Sequence, residues 1–230
     1  NKKKQPALIL KTNGATYSIM DREECLKKIN KIKNKFPSDW KLPNVYLLHG
    51  NLSDTQMNYL YNHPKCKALV SLTHGEGFGR PLLEATMTGL PVIATNWSGH
   101  LDFLSKEKSV LLSGELISVP KCQHWKDIII PESQWFSADE NKFHQALEVV
   151  NEQPILYKNK AESLMDENRE KFTLNKMTEK LDEIMEQYLK DVPQQVGLKL
   201  PKLKKVNKNL EELPKIKLPK LKKVTDEVSA

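Results

Sequence analysis

No run of about 18 apolar residues occurs in the 230-residue chain, so the sequence holds no candidate membrane span. The opening segment is not expected to be a secretory leader. The apolar part of the opening segment NKKKQPALILK is too short for one, and no small-residue cleavage site follows it. The first residue is Asn rather than Met, from which we expect further chain upstream. Cysteine is scarce: Cys25, Cys66 and Cys122 are odd in number, far apart and form no CxxC pair. That argues against a disulfide framework and a zinc site; three reduced thiols of a cytoplasmic protein are expected. The six histidines do not gather with carboxylates as in HExxH, so no metal is expected. A strongly basic body is also absent. The net charge is +7, but ten Lys against five acidic residues from Asp191 onward supply +5 of it. The remainder is nearly balanced, which speaks against nucleic acid as a partner.

What is present is a soluble composition, 39% hydrophobic and 28% charged, with a regular alternation of elements. Short apolar runs at 7–10, 45–48, 68–72 and 92–95 read as buried strands. Between them lie helical stretches. Asp21 with Glu24, and Ser53 with Gln56, have capping-box spacing. The third helix is expected from Arg80 to Thr88, ended by Gly89. Four strand–helix alternations predict an α/β fold, a Rossmann-like parallel sheet with helices on both faces. Ligands of such sheets bind at the carboxyl ends of the strands, here the loops 12–17, 49–53, 73–79 and 96–101. The stretch 105–137, with Pro120, Trp125, Pro131 and Trp135, reads as irregular. Helices follow from Asp139 to Val150 and from Ile155 to Leu189, broken near Phe172–Thr173, and are expected to pack back on the sheet.

The chemistry concentrates in SLTHGEGFGRPLLEATMTGLPVIATNWSGHLDF, residues 71–103. A strand ends, glycines fall at 75, 77 and 79, and Pro81 opens a helix, where its missing N–H costs nothing. Glycines let backbone approach a ligand closely, and free amides at a helix start favour an anion such as a diphosphate. Glu76 and Glu84 flank the loop. Carboxylates beside a phosphate need another purpose; accepting paired hydrogen bonds from a sugar diol is one. A ribose at one acid and a hexose at the other describe a nucleoside diphosphate sugar.

Glu-x7-Glu within EGFGRPLLEA, followed by GLPVIA and a glycine-containing loop, resembles the donor site of retaining GT-B glycosyltransferases of the family 4 type, the glycosyl transferases group 1. The resemblance covers residues 7–189 and draws its specificity from 45–104. It implies the C-terminal, donor-binding half of a GT-B fold and a metal-independent retaining hexosyltransferase. It further implies that Glu76, the candidate catalytic residue, holds hydroxyls of the transferred sugar. Amides of Gly77, Phe78 and Gly79 would meet sugar and phosphate, Glu84 the ribose diol, and Leu83 the nucleoside through its backbone. Gly50, beside His49, would lie near the base; Ser98 and Gly99, with Asp102, would close around the site. His74, preceding Gly75, and His100 are further candidates for a phosphate, and Arg80 for its charge; a loop histidine without a role and a solvated arginine are the bland alternatives. No cofactor is implied beyond the donor substrate, a UDP- or GDP-hexose. The acceptor, whether glycan, lipid or protein, stays open.

Two parts of the family pattern do not match. The Gly-Arg…Lys motif that grips the diphosphate has no counterpart in Lys2–Lys4, and Lys11 is a weak substitute. The N-terminal acceptor domain is expected elsewhere. The domain is therefore read as 1–190, followed by a low-complexity tail, 191–230, in which KLPKLKKV occurs at Lys199–Val206 and again at Lys217–Val224. Proline in each copy opposes a continuous helix. The composition predicts a solvated, disordered tail; contact with an anionic membrane surface is the alternative and would make a cytoplasmic protein peripheral. Other readings of the whole are a non-catalytic sugar-nucleotide-binding module or remnant, an epimerase of the same shape, and a polyanion binder acting through the tail.

Overall fold

The computed structural model describes residues 6–12 and 18–189. Residues 13–17 of the first expected ligand loop, Lys2–Lys4 and the repeat-bearing tail lie outside the described residues. The chain divides into two units, Asn1–Ile184 and Met185–Ala230. Every described strand, and every described helix that ends by Lys171, belongs to the first unit.

Helix starts are set by short polar side chains. Helix α1 (Ile19–Lys33) is capped by Ser18, which accepts from Met20 N while Asp21 accepts from Ser18 N at 3.2 Å. Asp21 is thus the reciprocal partner and not the cap, so the box sits three residues earlier than the Asp21–Glu24 spacing predicts. In α2 (Asp54–Tyr61) the expected Ser53–Gln56 box is present in both directions, at 3.2 and 2.9 Å. Asp139 caps α4 (Glu140–Glu152) through Asn141 N and Lys142 N.

Strand β1 (Leu8–Thr12) pairs in parallel with β2 (Val45–His49). Strands β3 (Leu69–Ser71), β4 (Val92–Thr95) and β5 (Val110–Leu112) form a second parallel ladder with β4 central. One sheet was expected; the described strands make two parallel ladders and an antiparallel hairpin. Apolar runs mark strands, but edge-to-edge pairing depends on contacts distant in sequence. The hairpin, β6 (Gly114–Ser118) with β7 (Gln134–Ala138), lies inside the stretch read as irregular. Of the β7 residues only Phe136 is buried, so neither strand carries a clean two-residue alternation that would mark it in the sequence.

Alternation along β4 gives the second ladder two covered faces. Val92 and Ala94 join Leu82, Ala85, Phe103 and Leu164 in one cluster, with α3 (Arg80–Thr86) and α5 (Pro154–Lys171). Ile93 joins Leu112, Ala146 and Val150 in the other, beneath α4. The α/β architecture with helices on both faces is therefore present around β3–β5. Helix α6 (Leu174–Leu189) departs from expectation: it buries no residue, and Leu174 and Leu181 are exposed. The predicted break is found between α5, capped by Phe172, and α6. No described helix is long and apolar enough to cross a membrane.

Candidate functional site

The loops after β3 and β4 meet at the carboxyl ends of these parallel strands. Glu76 N donates to Ser98 Oγ at 3.0 Å, and Ser98 Oγ donates back to Glu76 O at 2.6 Å. Gly99 N reaches the same carbonyl at 3.0 Å. Contact is so close that a Cβ on Gly99 would lie 2.0 Å from Gly77 O. Ser98 adopts φ 86° and ψ −169°, a region L-residues rarely enter. Such strain persists only where surroundings over-determine it; here three hydrogen bonds do so. Ser98 and Gly99 therefore fix Glu76 and Gly77 through the backbone. The Glu76 carboxylate makes no hydrogen bond or ion pair among the described residues.

Gly79 caps α3 at φ 83°, where a Cβ would come within 3.1 Å of His100 Cβ and 3.2 Å of Leu82 Cδ1. His100 lies beneath this turn, fully buried, with Nε2 2.6 Å from Thr95 O. It is therefore a structural residue under the loop and no surface contact for a phosphate. The Phe78 ring packs edge-on to Phe103 at 5.3 Å and near Phe172 at 6.4 Å, which ties the loop to the end of α5. Asp102 sits on the exposed side of the short 3-10 turn Gly99–Asp102.

On α3 the two charged candidates pair with each other. Arg80 Nε lies 2.6 Å from Glu84 Oε1, and the hydrogen bond raises the guanidinium pKa further above its usual value. Tyr61, at the end of α2, is nearby: burial pushes its phenol up, and the Glu84 charge adds to this. Glu84 thus faces α2, whereas Glu76 is held by the 98–99 loop. Leu83 N donates to Gly79 O, its carbonyl accepts from Met87 N and Thr86 Oγ1, and its side chain packs against the core. Both backbone groups of Leu83 are accordingly used inside the helix. Gly50, at φ 106°, donates to Thr12 O at the end of the β1–β2 ladder. Lys11 lies within β1. Two cavities, of about 230 and 430 Å³, lie between β5 and α4 and between β2 and α2; neither is lined by Glu76 or Glu84.

The hairpin supplies what sequence reasoning missed. Phe136 N donates to His74 O at 3.1 Å, and His74 Nδ1 lies 2.7 Å from Phe136 O. The His74 ring stacks on Trp135 at 4.0 Å and 6°. Trp97 stacks on Phe136 at 5.9 Å and 3° and lies 4.0 Å from where a Gly75 Cβ would stand. The signal was a pair of aromatics just before an N-cap Asp. Among the described residues no three His, Cys, Asp or Glu side chains gather as metal ligands would.

A model of the family Glycosyl transferases group 1 matches residues 36–131, under half of the chain. No curated protein matches. Several solved structures share the fold. Anabaena HepE in complex with UDP and glucose is 14% identical, with a TM-score of 0.53 over 79% of this chain and 40% of its own. Sucrose-phosphate synthase from Thermosynechococcus elongatus is 15% identical, with a TM-score of 0.54 over 81% and 39%. A glycosyltransferase from Rickettsia africae ESF-5 is 17% identical, with a TM-score of 0.52 over 83% and 42%. At such identity the likeness is one of fold, and it agrees with the expected α/β, GT-B-like architecture. The chain spans about two fifths of the length of these structures.

Proposed function

We propose that the chain is the donor-binding half of a retaining hexosyltransferase and that it holds a nucleoside diphosphate sugar along the 74–79 loop and α3. The observation that carries this is the double clamp of Ser98 and Gly99 on Glu76 and Gly77, at the strand ends where such sheets bind ligands. It presets a bare glycine backbone with a free carboxylate beside it. Preorganisation of this kind removes the ordering cost of binding. The family match over residues 36–131 and the UDP and glucose bound by HepE support the same reading.

In this reading Glu76 accepts hydrogen bonds from the hexose, and the amides of Gly77 to Gly79 meet the sugar and diphosphate. Glu84 accepts the ribose diol and exchanges part of its contact with Arg80 to do so. The exchange is cheap, because water screens an ion pair on an exposed helix face and leaves it little net stabilisation. Gly50 borders the base. The bond from the anomeric carbon to the diphosphate oxygen breaks with its electron pair leaving on the diphosphate, and an acceptor hydroxyl oxygen bonds on the same face while its proton passes to the departing diphosphate. The protein contributes orientation and electrostatic stabilisation of the leaving group. UDP- and GDP-hexoses are the donors. Acceptor contacts belong to a second domain outside these residues, so this chain alone binds donor and transfers sugar slowly. The work is metal-independent and cytoplasmic.

Thermal unfolding with UDP-, GDP- and ADP-glucose tests the reading. A ligand at about 100 times its Kd adds roughly 2.7 kcal/mol. Glu84→Ala is expected to remove that gain while leaving unliganded stability within about 1 kcal/mol. No shift with any nucleotide sugar overturns the reading.

A further inference from the structure

His74 and the hairpin form an arrangement that the donor reading leaves unused, although its use here rests on that reading. Three restraints act on His74: its carbonyl accepts from Phe136 N, its Nδ1 lies 2.7 Å from Phe136 O, and its ring lies flat on Trp135 at 4.0 Å and 6°. A carbonyl only accepts, so Nδ1 carries the proton and donates. In the neutral ring Nε2 is then a bare acceptor. An acceptor cannot bond a phosphate oxygen, but it suits a hydroxyl. The loop that His74 enters is the one that continues through Gly75 to Glu76. The other side of the hairpin is gripped as well, by Trp97 over Phe136.

We propose that His74 accepts a hydrogen bond from a hydroxyl of the transferred sugar through Nε2, and that Trp135 is the positioning residue that holds the imidazole for it. The hairpin fixes both the tautomer, through Phe136 O, and the ring plane, through the Trp135 stack. His74 then reads the sugar and not the nucleotide.

The test compares UDP with UDP-glucose, and GDP with GDP-mannose, by calorimetry on the full chain. His74→Phe keeps a ring on Trp135 and removes the acceptor. It is expected to weaken the nucleotide sugar about tenfold and the free nucleotide not at all. Trp135→Leu is expected to weaken the sugar nucleotide by about three- to tenfold, as an imidazole freed to rotate must be ordered again. Trp135→Phe restores most of the loss. In the His74→Phe background, Trp135→Leu costs no further affinity. Equal losses for UDP and UDP-glucose overturn the proposal, since they mean that the hairpin only holds the loop. Unchanged affinity in His74→Phe, which keeps the ring stack and needs no repacking of Trp135, overturns it as well. If UDP and GDP show no binding that depends on Glu84, the donor reading fails and this inference falls with it.

Discussion

Strands β4 and β1 lie in the same unit, yet they are built to different standards. Every residue of β4 is buried: Val92 and Ala94 belong to one apolar cluster and Ile93, 0% exposed, to the other. In β1, Leu8 and Ile9 are exposed, Ile9 at 43%, and neither core cluster includes a residue of β1 or β2. The loops that carry Glu76 and Ser98 leave β3 and β4, so the candidate site stands on the well-packed ladder. A site needs its shell locked by packing to hold geometry. The difference teaches that the β3–β5 half consolidates on its own core, whereas the β1–β2 half contributes a ladder with little burial.

The largest expected effect tests that contrast directly. Ile93→Ala leaves a hole between the sheet and α4, for which a loss of about 3–4 kcal/mol is expected in urea unfolding. Ile9→Ala, the same chemical change on an exposed position, is expected to cost under about 1 kcal/mol. Similar losses at the two sites would mean that the β1–β2 ladder is as consolidated as the other, and the comparison would fail.

A smaller effect separates two glycines of the clamp. A Cβ on Gly99 meets the Gly77 carbonyl oxygen at 2.0 Å, backbone against backbone, so the loops must part. Gly99→Ala is expected to cost about 2–3 kcal/mol of stability and to abolish nucleotide-sugar binding. A Cβ on Gly77 meets nothing within 4 Å. Gly77→Ala is expected to leave the unfolding midpoint unchanged or slightly raised, while weakening nucleotide-sugar binding in calorimetry. Full binding by Gly77→Ala would show that no ligand approaches that backbone.

These two glycines also mark how far the sequence could be read. The strand–loop–helix–strand order of residues 69–95, the Ser53–Gln56 box and the break before Leu174 were legible because periodicity and caps are local. So was the glycine pattern at 75, 77 and 79. The roles of those glycines were not, because Gly99 is required by a carbonyl 22 positions away while Gly77 has open space. His100 read as a ligand candidate for the same reason: only the fold shows it buried beneath Gly79. The hairpin was lost because its strands are separated by 15 residues containing Pro120 and Pro131, and its partner on the site, His74, lies more than 60 positions upstream. The pairing of Arg80 with Glu84, by contrast, follows from their i,i+4 spacing and was open to view.

The smallest expected effect asks whether charge, and not burial, consolidates the site-bearing half. Lys108, in the turn before β5, pairs with Glu167 on α5, and both are partly exposed, at 24% and 44%. The Lys108 hydrogen bond, helped by its charge, holds the Glu167 carboxyl below its ordinary 4.5. A depressed carboxyl stabilises the fold above the unfolded pKa and loses that contribution as pH falls through the folded one. The window therefore lies in acid, below about pH 4.5. Solvent screens a pair this exposed, so Lys108→Met is expected to cost only a few tenths of a kcal/mol at pH 7. Urea unfolding at pH 7 and pH 3 should show that small gap narrow in acid, as the Glu167 carboxyl takes up its proton. A gap of several kcal/mol at pH 7 would make ion pairing a main support of the β3–β5 half. The Ile93→Ala and Ile9→Ala pair would then report on more than packing, because the half of the molecule bearing the site would owe its order to a contact that salt can weaken.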